Sequence, residues 1–256
     1  MTTNIQTNDI NNKPEKLNEP QNEPQKLNEV INVNEIKKLS AKVSNNLQNI
    51  LNKALGKKVF IFDLETTGLF DKKDFYKYWS NKVFAQSRII EIGYYYSKKF
   101  GDEEDLKTNK IIHSYLRKPT DFSKIGEEAE KKNGISLSKI VNEGYMFSQI
   151  LNNDLLQKLT DCDIIISHNT LFDYSILMNE LNRFKLKNSI NYLKEIKKSG
   201  NLICTCKASG FKSLENLYES IFNCKPFNAH RAGDDVKTLL EIILKKKVET
   251  EFKTTL

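Results

Sequence analysis

The chain has 256 residues, of which 39% are hydrophobic, and its net charge is +7. This length accommodates one well-buried α/β domain with extensions. The sequence has no run near the ~18 apolar residues of a membrane span and no apolar signal region at its N-terminus, so we expect a cytoplasmic or nuclear protein with no membrane partner. The positive charge comes almost entirely from Lys in a Lys- and Asn-rich sequence, and alone it does not identify a nucleic-acid partner.

Two segments precede the first predicted strand. Residues 1–34 are rich in Asn, Glu, Gln, Lys and Pro, a composition that predicts a disordered low-complexity tail. Residues 35–56 place apolar side chains at helical spacing and end at Gly56, which predicts an amphipathic helix. This helix either packs against the domain that follows or docks a protein partner, so residues 1–56 are a candidate partner-binding segment.

The domain predicted over residues 57–248 begins with three strand-like runs and no helix between them, which indicates an antiparallel meander. Strands and helices then alternate, which indicates parallel additions to the sheet. We therefore predict an α/β fold with a central mixed five-stranded sheet flanked by helices, followed by a C-terminal tail over residues 249–256. The predicted strands are Lys58–Leu64, Arg88–Ser97, Lys110–Leu116, Asp163–Ser167 and Leu202–Cys206, and the helices with defined limits are Leu171–Arg183, Ser213–Phe222 and Ala232–Lys247.

An insertion over residues 70–87 separates the first two strands. From Phe70 to Lys82 it interleaves aromatic residues with lysines. Aromatic side chains stack on unpaired bases at about 1–3 kcal/mol each while lysines meet phosphates, so one hypothesis is a loop that grips single-stranded substrate. The alternative is an insertion whose aromatic residues pack on the domain surface.

The cysteines do not indicate a metal site. The C-x-C pair, Cys204 and Cys206, has no second pair at zinc-ligand spacing, and a disulfide scaffold is not expected in a chain of this size. We expect these residues, together with Cys162 and Cys224, to be ordinary reduced thiols.

The most informative segment runs from Phe62 to Gly68, where Asp63 and Glu65 stand at the end of an apolar run. Residues two apart in a strand project from the same face, so the two carboxylates lie side by side. Carboxylate oxygens are the ligands that Mg²⁺ and Mn²⁺ prefer. Because acidic pairs are also common on solvated surfaces, this motif alone only suggests a metal site.

Two later blocks complete a set of three motifs. One begins at His168, follows the second apolar strand and ends at Asp173; the other places His230 five residues before Asp235 at the start of a predicted helix. With the D-x-E block, the H-N-x-x-F-D and H-x-x-x-x-D blocks resemble the DEDD-type 3′–5′ exonucleases of the DnaQ-like family, in their His subtype. The Tyr subtype would carry Tyr four residues before the last Asp, where this chain has Arg231.

Two secondary segments support the resemblance. Arg88–Gly93 resembles the second strand of the family, and Asn133–Ser136 resembles its H-G-I-T turn with Asn133 at the usual His position. The resemblance spans about residues 57–247 and implies an RNase H-like fold.

The resemblance also implies a site with two Mg²⁺ or Mn²⁺ ions that hydrolyses phosphodiesters. Asp63 would bridge both ions. Glu65 and Asp235 would complete the site beside the attacking water, and Asp173 would serve the other ion. His230 would be the general base, because imidazole with an ordinary pKa near ~6.5 accepts a proton at neutral pH.

Four more residues are implied as substrate contacts. Thr66, Thr67 and Leu69 follow the first carboxylates, where relatives contact the 3′-terminal nucleotide, and Asn169 is expected to orient the substrate. His168 lies beyond the strand end, and we expect it to be structural.

The implied function is removal of nucleoside monophosphates from the 3′ end of a nucleic acid, with single strands favoured. The stretch Glu65–Leu69 is more similar to proofreading and DNA-trimming relatives than to oligoribonucleases, so DNA is favoured over RNA. Two alternatives stay open, a 3′–5′ exoribonuclease and a catalytically silent nucleic-acid-binding or scaffolding module. A silent module would be expected to lose a carboxylate or the His, and this chain has all of them.

Overall fold

The computed structural model describes residues 41–69, 87–108 and 112–254. The predicted tail over residues 1–34, the first residues of the predicted amphipathic helix and the Phe70–Lys82 segment of the insertion lie outside these ranges. No helix in the described ranges combines the length and apolar character that a membrane crossing requires.

A mixed five-stranded sheet forms the centre of the protein, with strand order β3-β2-β1-β4-β5. The first three strands pair antiparallel, whereas β4 and β5 add in parallel beside β1, as the strand and helix order predicted. The predicted α/β fold class is therefore confirmed. The strands are β1 (Val59–Thr66), β2 (Ile89–Ser97), β3 (His113–Leu116), β4 (Ile164–Ser167) and β5 (Leu202–Cys204).

Helices cover both faces of the sheet. Between α5 and α6 the residues Leu151–Leu155 form an irregular turn, in which Asp154 has a φ of 66°. The helices are α1 (Ala41–Ala54), α2 (Glu103–Thr108), α3 (Glu127–Asn133), α4 (Leu137–Glu143), α5 (Phe147–Ile150), α6 (Leu156–Asp161), α7 (Thr170–Arg183), α8 (Lys187–Lys198), α9 (Thr205–Ala208), α10 (Leu214–Phe222) and α11 (Ala232–Thr254).

Alternating residues of β1 divide the core into two layers. Phe60, Phe62 and Leu64 face one layer, which contains apolar residues of α7 and α8. Val59 and Ile61 face the other layer, which contains residues of α1, α10 and α11. Asp63 and Glu65 continue the second series, so the carboxylates project from the face that α11 covers.

Helix α1 belongs to the second layer. Leu47, Leu51 and Ala54 are at most 1% exposed and share a cluster with Leu239 and Ile243 of α11. The apolar face of this helix is thus used for packing against the domain, which is the first of the two alternatives stated for it.

Several details of the predicted elements were wrong. The short helix α2 lies between β2 and β3, where no helix was predicted, and α11 continues to Thr254, beyond its predicted end at Lys247. The fifth strand ends at Cys204 instead of Cys206, because α9 begins at Thr205 and the Cys204 sulfur accepts a hydrogen bond from the Lys207 N–H. Helix α8 was not predicted, although Leu193 and Ile196 on it are buried at a helical spacing of three.

A buried ion network joins α7 to the edges of β2 and β3. Glu180 of α7 accepts a hydrogen bond from Arg88 Nε at 2.7 Å and another from Arg117 Nη1 at 2.8 Å. Asp121 accepts from Arg117 Nη2 at 3.0 Å and also pairs with Arg88. The two arginines and Glu180 are at most 2% exposed, so their charges compensate one another away from water. We call these four residues the Glu180 network.

Candidate active site

The end of β1 presents the first two carboxylates. Asp63 stands opposite Gly93 in the antiparallel pair, and Glu65 stands opposite Glu91. The pairing is irregular between Glu65 and Thr66, which is a common feature of strands beside active sites.

Helix α11 approaches β2 closely at Gly93. A Cβ atom at this position would lie 2.3 Å from both the carbonyl carbon and the carbonyl oxygen of Ala232, a distance that no side chain tolerates. Glycine therefore lets the first turn of α11 lie directly on the sheet beside Asp63. One carboxylate oxygen each of Asp63, Glu65 and Asp235 lie within 4.8 Å of one another as a result.

Asp173 reaches the same region from the other side of the sheet. It lies in the first turn of α7, which follows β4, and it is 3% exposed. Its Oδ2 atom is buried and has no hydrogen-bond partner among the described residues. A buried carboxylate oxygen without a donor is costly, and a cation would satisfy it.

The carboxylates strongly perturb one another. Loss of water raises the pKa of Asp63 well above its usual range, and the charges of Asp173 and Asp235 raise it further. Burial is also the main reason that the pKa of Glu65 rises to about 8 and that of Asp235 to about 7. The pKa of Asp173 rises for the same reason, with Glu65 adding repulsion. The four groups thus act on one another as a single acidic pocket.

This pocket fits divalent cations such as Mg²⁺ or Mn²⁺. Its donors are hard carboxylate oxygens, and those of Asp63 and Glu65 on β1 and Asp235 on α11 converge closely enough for shared coordination. Burial and mutual repulsion raise the pKa values of the carboxylates, a cost that a bound cation would offset, and Asp173 keeps an unpaired buried oxygen. Asp63, Glu65, Asp235 and Asp173 are the residues that would hold the ions.

His230 lies just ahead of α11 at the edge of the pocket. Its φ is 71°, a left-handed conformation, and its N–H donates to Asp235 Oδ1 at 3.4 Å. The ring Nε2 lies 3.4 Å from Glu215 Oε1. Desolvation and the positive charge of Lys132 lower the pKa of His230, against the opposing effect of Glu215. The imidazole is therefore neutral at neutral pH and able to accept a proton.

The residues predicted to contact substrate occupy different environments. Thr66 and Thr67 are each 7% exposed, and the Thr67 N–H donates to the Arg88 carbonyl at 2.9 Å, so these two residues brace the turn after β1. Leu69, by contrast, is 81% exposed. Asn169 is exposed and has a φ of 60° at the start of α7. Leu69 and Asn169 are the side chains of this set that lie open to a ligand.

Both ring nitrogens of His168 contact other residues of the protein. Its Nε2 donates to the Lys212 carbonyl at 3.0 Å, and its Nδ1 lies 2.9 Å from the Thr205 hydroxyl. These contacts link the end of β4 to α9 and to the turn before α10, as expected of a structural residue.

Contacts that sequence reasoning missed surround the acidic pocket. Asn133 Nδ2 lies 3.5 Å from Glu65 Oε2, and Glu215 lies beside His230. Glu91 forms an ion pair with Arg231, 140 positions away. In the sequence Glu91 stands within the Arg88–Gly93 strand motif, and a further signal is Gly93, two positions later on the same face.

The chain is similar to solved exonuclease structures and matches one family model. Among solved structures, the chain is similar to an exonuclease I analysed for the basis of its processivity, with 15% identity, a TM-score of 0.46 and coverage of 76% of this chain and 41% of that chain. It is similar to the zinc-bound E. coli exonuclease I complex with single-stranded DNA, at 17% identity, a TM-score of 0.46 and the same coverage. A third is exonuclease I from Methylocaldum szegediense, at 14% identity, a TM-score of 0.36 and coverage of 50% and 24%.

The present chain therefore spans about two fifths or less of these exonuclease I chains. No curated protein sequence gives a significant match. The RNase_T family model, described as an exonuclease, matches residues 60–243, which include every carboxylate of the pocket and His230. Because this match covers most of the chain, the protein belongs to the RNase_T exonuclease family, the DnaQ-like group that its motifs predicted.

Proposed function

We propose that the protein is a metal-dependent 3′–5′ exonuclease that removes nucleoside monophosphates from nucleic acid, with single-stranded DNA favoured. The observation that carries this proposal is the convergence of Asp63, Glu65 and Asp235 within 4.8 Å in a member of an exonuclease family. The 3′–5′ direction and the His subtype rest on the order and spacing of the three motifs.

The carboxylates are assigned to two ion positions. Asp63 lies centrally, since the charges of both Asp173 and Asp235 act on it, and this suits a bridging ligand. Glu65 and Asp235 would hold the ion on the side of the attacking water, and Asp173 would hold the other. Two divalent ions in such a site activate a water molecule and neutralise charge on the leaving oxygen.

His230 is assigned as the general base. Its lowered pKa favours the neutral imidazole, and its backbone contact to Asp235 at the edge of the pocket supports this role. Glu215 lies against Nε2 and orients the ring. As the water oxygen bonds to phosphorus, its proton passes to this imidazole and the bond to the 3′-oxygen breaks. The 3′-oxygen leaves with the upstream strand and takes up a proton to become a 3′-hydroxyl.

Exposed residues next to the pocket are assigned to the 3′-terminal nucleotide. Leu69 projects from the turn after β1 and suits an apolar contact with the last base, while Asn169 suits a hydrogen bond to the sugar or base. Thr66 and Thr67 shape the turn that carries Leu69. The preference for DNA rests on the sequence of this same stretch.

The experiment uses matched 5′-labelled DNA and RNA oligonucleotides with Mg²⁺ or Mn²⁺, and an Asp235→Asn protein beside the wild type. We expect a metal-dependent ladder that shortens from the 3′ end, runs faster on DNA, and is absent with Asp235→Asn. A faster RNA ladder would identify an exoribonuclease instead. A folded wild-type protein that binds both oligonucleotides and degrades neither would contradict the proposal and identify a silent binding module.

A further inference from the structure

A further buried carboxylate, Glu91, stands next to the acidic pocket without belonging to its group of converging ligand atoms. It lies on β2 opposite Glu65, and it is 1% exposed. It is the one buried acid beside the pocket, within the described ranges, whose pKa is lowered, because hydrogen bonds and the charge of Arg231 outweigh the effect of burial.

Both oxygens of Glu91 are fully used. Oε1 accepts from Arg231 Nη2 at 2.7 Å and from the Ser114 hydroxyl at 2.9 Å. Oε2 accepts from Arg231 Nε and from the Ala232 N–H, each at 3.0 Å. A carboxylate has about four acceptor positions, so Glu91 has none left for a metal ion. We call Glu91, Ser114, Arg231 and the Ala232 N–H the Glu91 clamp.

The clamp holds the start of α11 at two points. Ala232 is the first residue of this helix, and its N–H is one of the terminal donors that have no partner within a helix. The Arg231 guanidinium meets Glu91 through two parallel N–H groups, a fork geometry that fixes orientation as well as distance. Together with the close approach at Gly93, these contacts set both the position and the rotation of the first turn.

That first turn carries two of the residues assigned to catalysis. His230 immediately precedes Arg231, and the Asp235 N–H donates to the Arg231 carbonyl at 2.9 Å. A shift of Arg231 therefore moves His230 and Asp235 together. Ligands that share a metal ion must be held to about 0.5 Å, so a small displacement here is enough to weaken the site.

We propose that Glu91, acting through Arg231 and the Ala232 N–H, is the positioning residue that holds Asp235 and His230 in register with Asp63 and Glu65. This inference rests on the proposed function and deepens it. Glu91 contacts neither substrate nor metal. Its effect is on metal affinity and on the turnover step, and the binding of the nucleic acid itself does not depend on it.

The test is Glu91→Gln, which keeps the shape of the side chain but replaces one acceptor oxygen with a donor. Mn²⁺ binding is measured by calorimetry, and kcat, KM and the Mg²⁺ concentration for half-maximal hydrolysis are measured in parallel. We expect metal affinity and kcat to fall by about 10- to 100-fold, as for other residues that orient metal ligands. KM for the oligonucleotide should stay within about twofold, because uniform substrate binding is unaffected.

The matched control is Glu180→Gln, the same exchange at a buried glutamate that also binds arginines. It should lower the unfolding temperature while Mn²⁺ affinity stays within about twofold of the wild type. Glu180 does not hold α11, and it lies on α7 about two helical turns beyond Asp173. If Glu91→Gln unfolds at a similarly reduced temperature but binds Mn²⁺ like the wild type, the clamp is only structural and the inference is wrong.

Two further outcomes separate this inference from the proposed function. If the wild type hydrolyses nothing, yet Glu91→Gln alone weakens Mn²⁺ binding, the proposed function fails and the clamp stands. If Glu91→Gln does not fold, Arg231→Lys is tested instead, because lysine keeps the positive charge but cannot form the two parallel hydrogen bonds to Glu91. Wild-type Mn²⁺ affinity and kcat in Arg231→Lys would overturn the proposal.

Discussion

Two buried glutamates of this protein make similar contacts and serve different purposes. Glu91 and Glu180 are each at most 1% exposed, and each accepts hydrogen bonds from arginine. Glu180 meets two arginines from segments that flank β2 and β3, whereas Glu91 meets one arginine and the first N–H of α11. The Glu180 network joins the later part of α7 to the sheet within the core, while the Glu91 clamp fixes the start of α11, close to Asp235, which we propose as a metal ligand.

The comparison shows that burial and ion pairing alone do not mark a functional residue. Both glutamates would be judged equally important from exposure and hydrogen bonds. What separates them is the place on the helix where each one acts. Glu91 binds Ala232, the first residue of α11, three positions before Asp235, whereas Glu180 lies on α7 seven positions after Asp173. The predictions below test whether stability and metal binding respond separately to the two networks.

The largest stability effect is expected from Glu180→Gln. This change leaves Arg88 and Arg117 buried with only Asp121 as a formal counter-charge, and breaking a buried ion network in this way costs about 3–5 kcal/mol of unfolding free energy. Urea unfolding of the metal-free protein measures it. A loss below about 1 kcal/mol would mean that the network is compensated by water and is not a core anchor.

The second effect is the change of unfolding free energy with pH, which arises from the acidic pocket and from neither the Glu91 clamp nor the Glu180 network. The pKa of Glu65 is about 8 in the folded protein, against an ordinary value of 4.5. Between these values the folded metal-free protein binds more protons than the unfolded chain, so its unfolding free energy falls as pH rises. We expect a loss on the order of 2–3 kcal/mol from pH 5 to pH 8, reversed by Mg²⁺.

Unfolding curves at several pH values, with and without Mg²⁺, check this. The stabilisation by Mg²⁺ should grow with pH, because protons must leave the carboxylates before the ion binds. Glu65→Gln should flatten the metal-free profile. A metal-free protein that becomes more stable from pH 5 to pH 8 would contradict the repulsion within the pocket.

The third effect is expected from Gly93→Ala, a change on β2 that disturbs the contact between the sheet and the start of α11. The added methyl group would overlap the Ala232 backbone, so α11 must shift away from β2. We expect a loss of about 1–3 kcal/mol in unfolding free energy together with weaker Mn²⁺ binding. Gly56→Ala, at the turn after α1 with open space around it, is a control that should lose stability without losing metal affinity.

The smallest effect is expected from Ser114→Ala, which removes one of the hydrogen bonds to Glu91 and keeps the Cβ that packs near Gly233. We expect at most about 1 kcal/mol in stability. Metal affinity should fall by only a few-fold, between the wild type and Glu91→Gln. An effect as large as that of Glu91→Gln would show that the hydroxyl, and not the carboxylate, dominates the clamp.

The sequence predicted the framework of the site because its signals are local. Asp63 and Glu65 are two positions apart in one strand, and His230 and Asp235 are five positions apart at the start of one helix. Short sequence patterns were therefore sufficient to predict these site residues. The mixed sheet followed from the order of strands and helices, and it is confirmed.

What the sequence did not reveal depends on contacts between distant segments. Glu91 and Arg231 are 140 positions apart, and no local sequence pattern indicates that they form an ion pair. Helix α8 was not predicted because its sequence is rich in Lys and Asn and has only a narrow apolar stripe. The early end of β5 depends on the helix cap that Cys204 forms for α9. Such features are set by packing, which composition and periodicity do not record.

The most direct test of the central claim is anomalous diffraction from crystals of the full chain soaked in Mn²⁺. The account predicts a strong peak bound by oxygens of Asp63, Glu65 and Asp235, and a second peak against Asp173 when a nucleotide is present. In Glu91→Gln crystals the first peak should weaken and Asp235 should move away from Asp63. A wild-type pocket that stays without a peak at Mn²⁺ concentrations supporting hydrolysis would contradict the account.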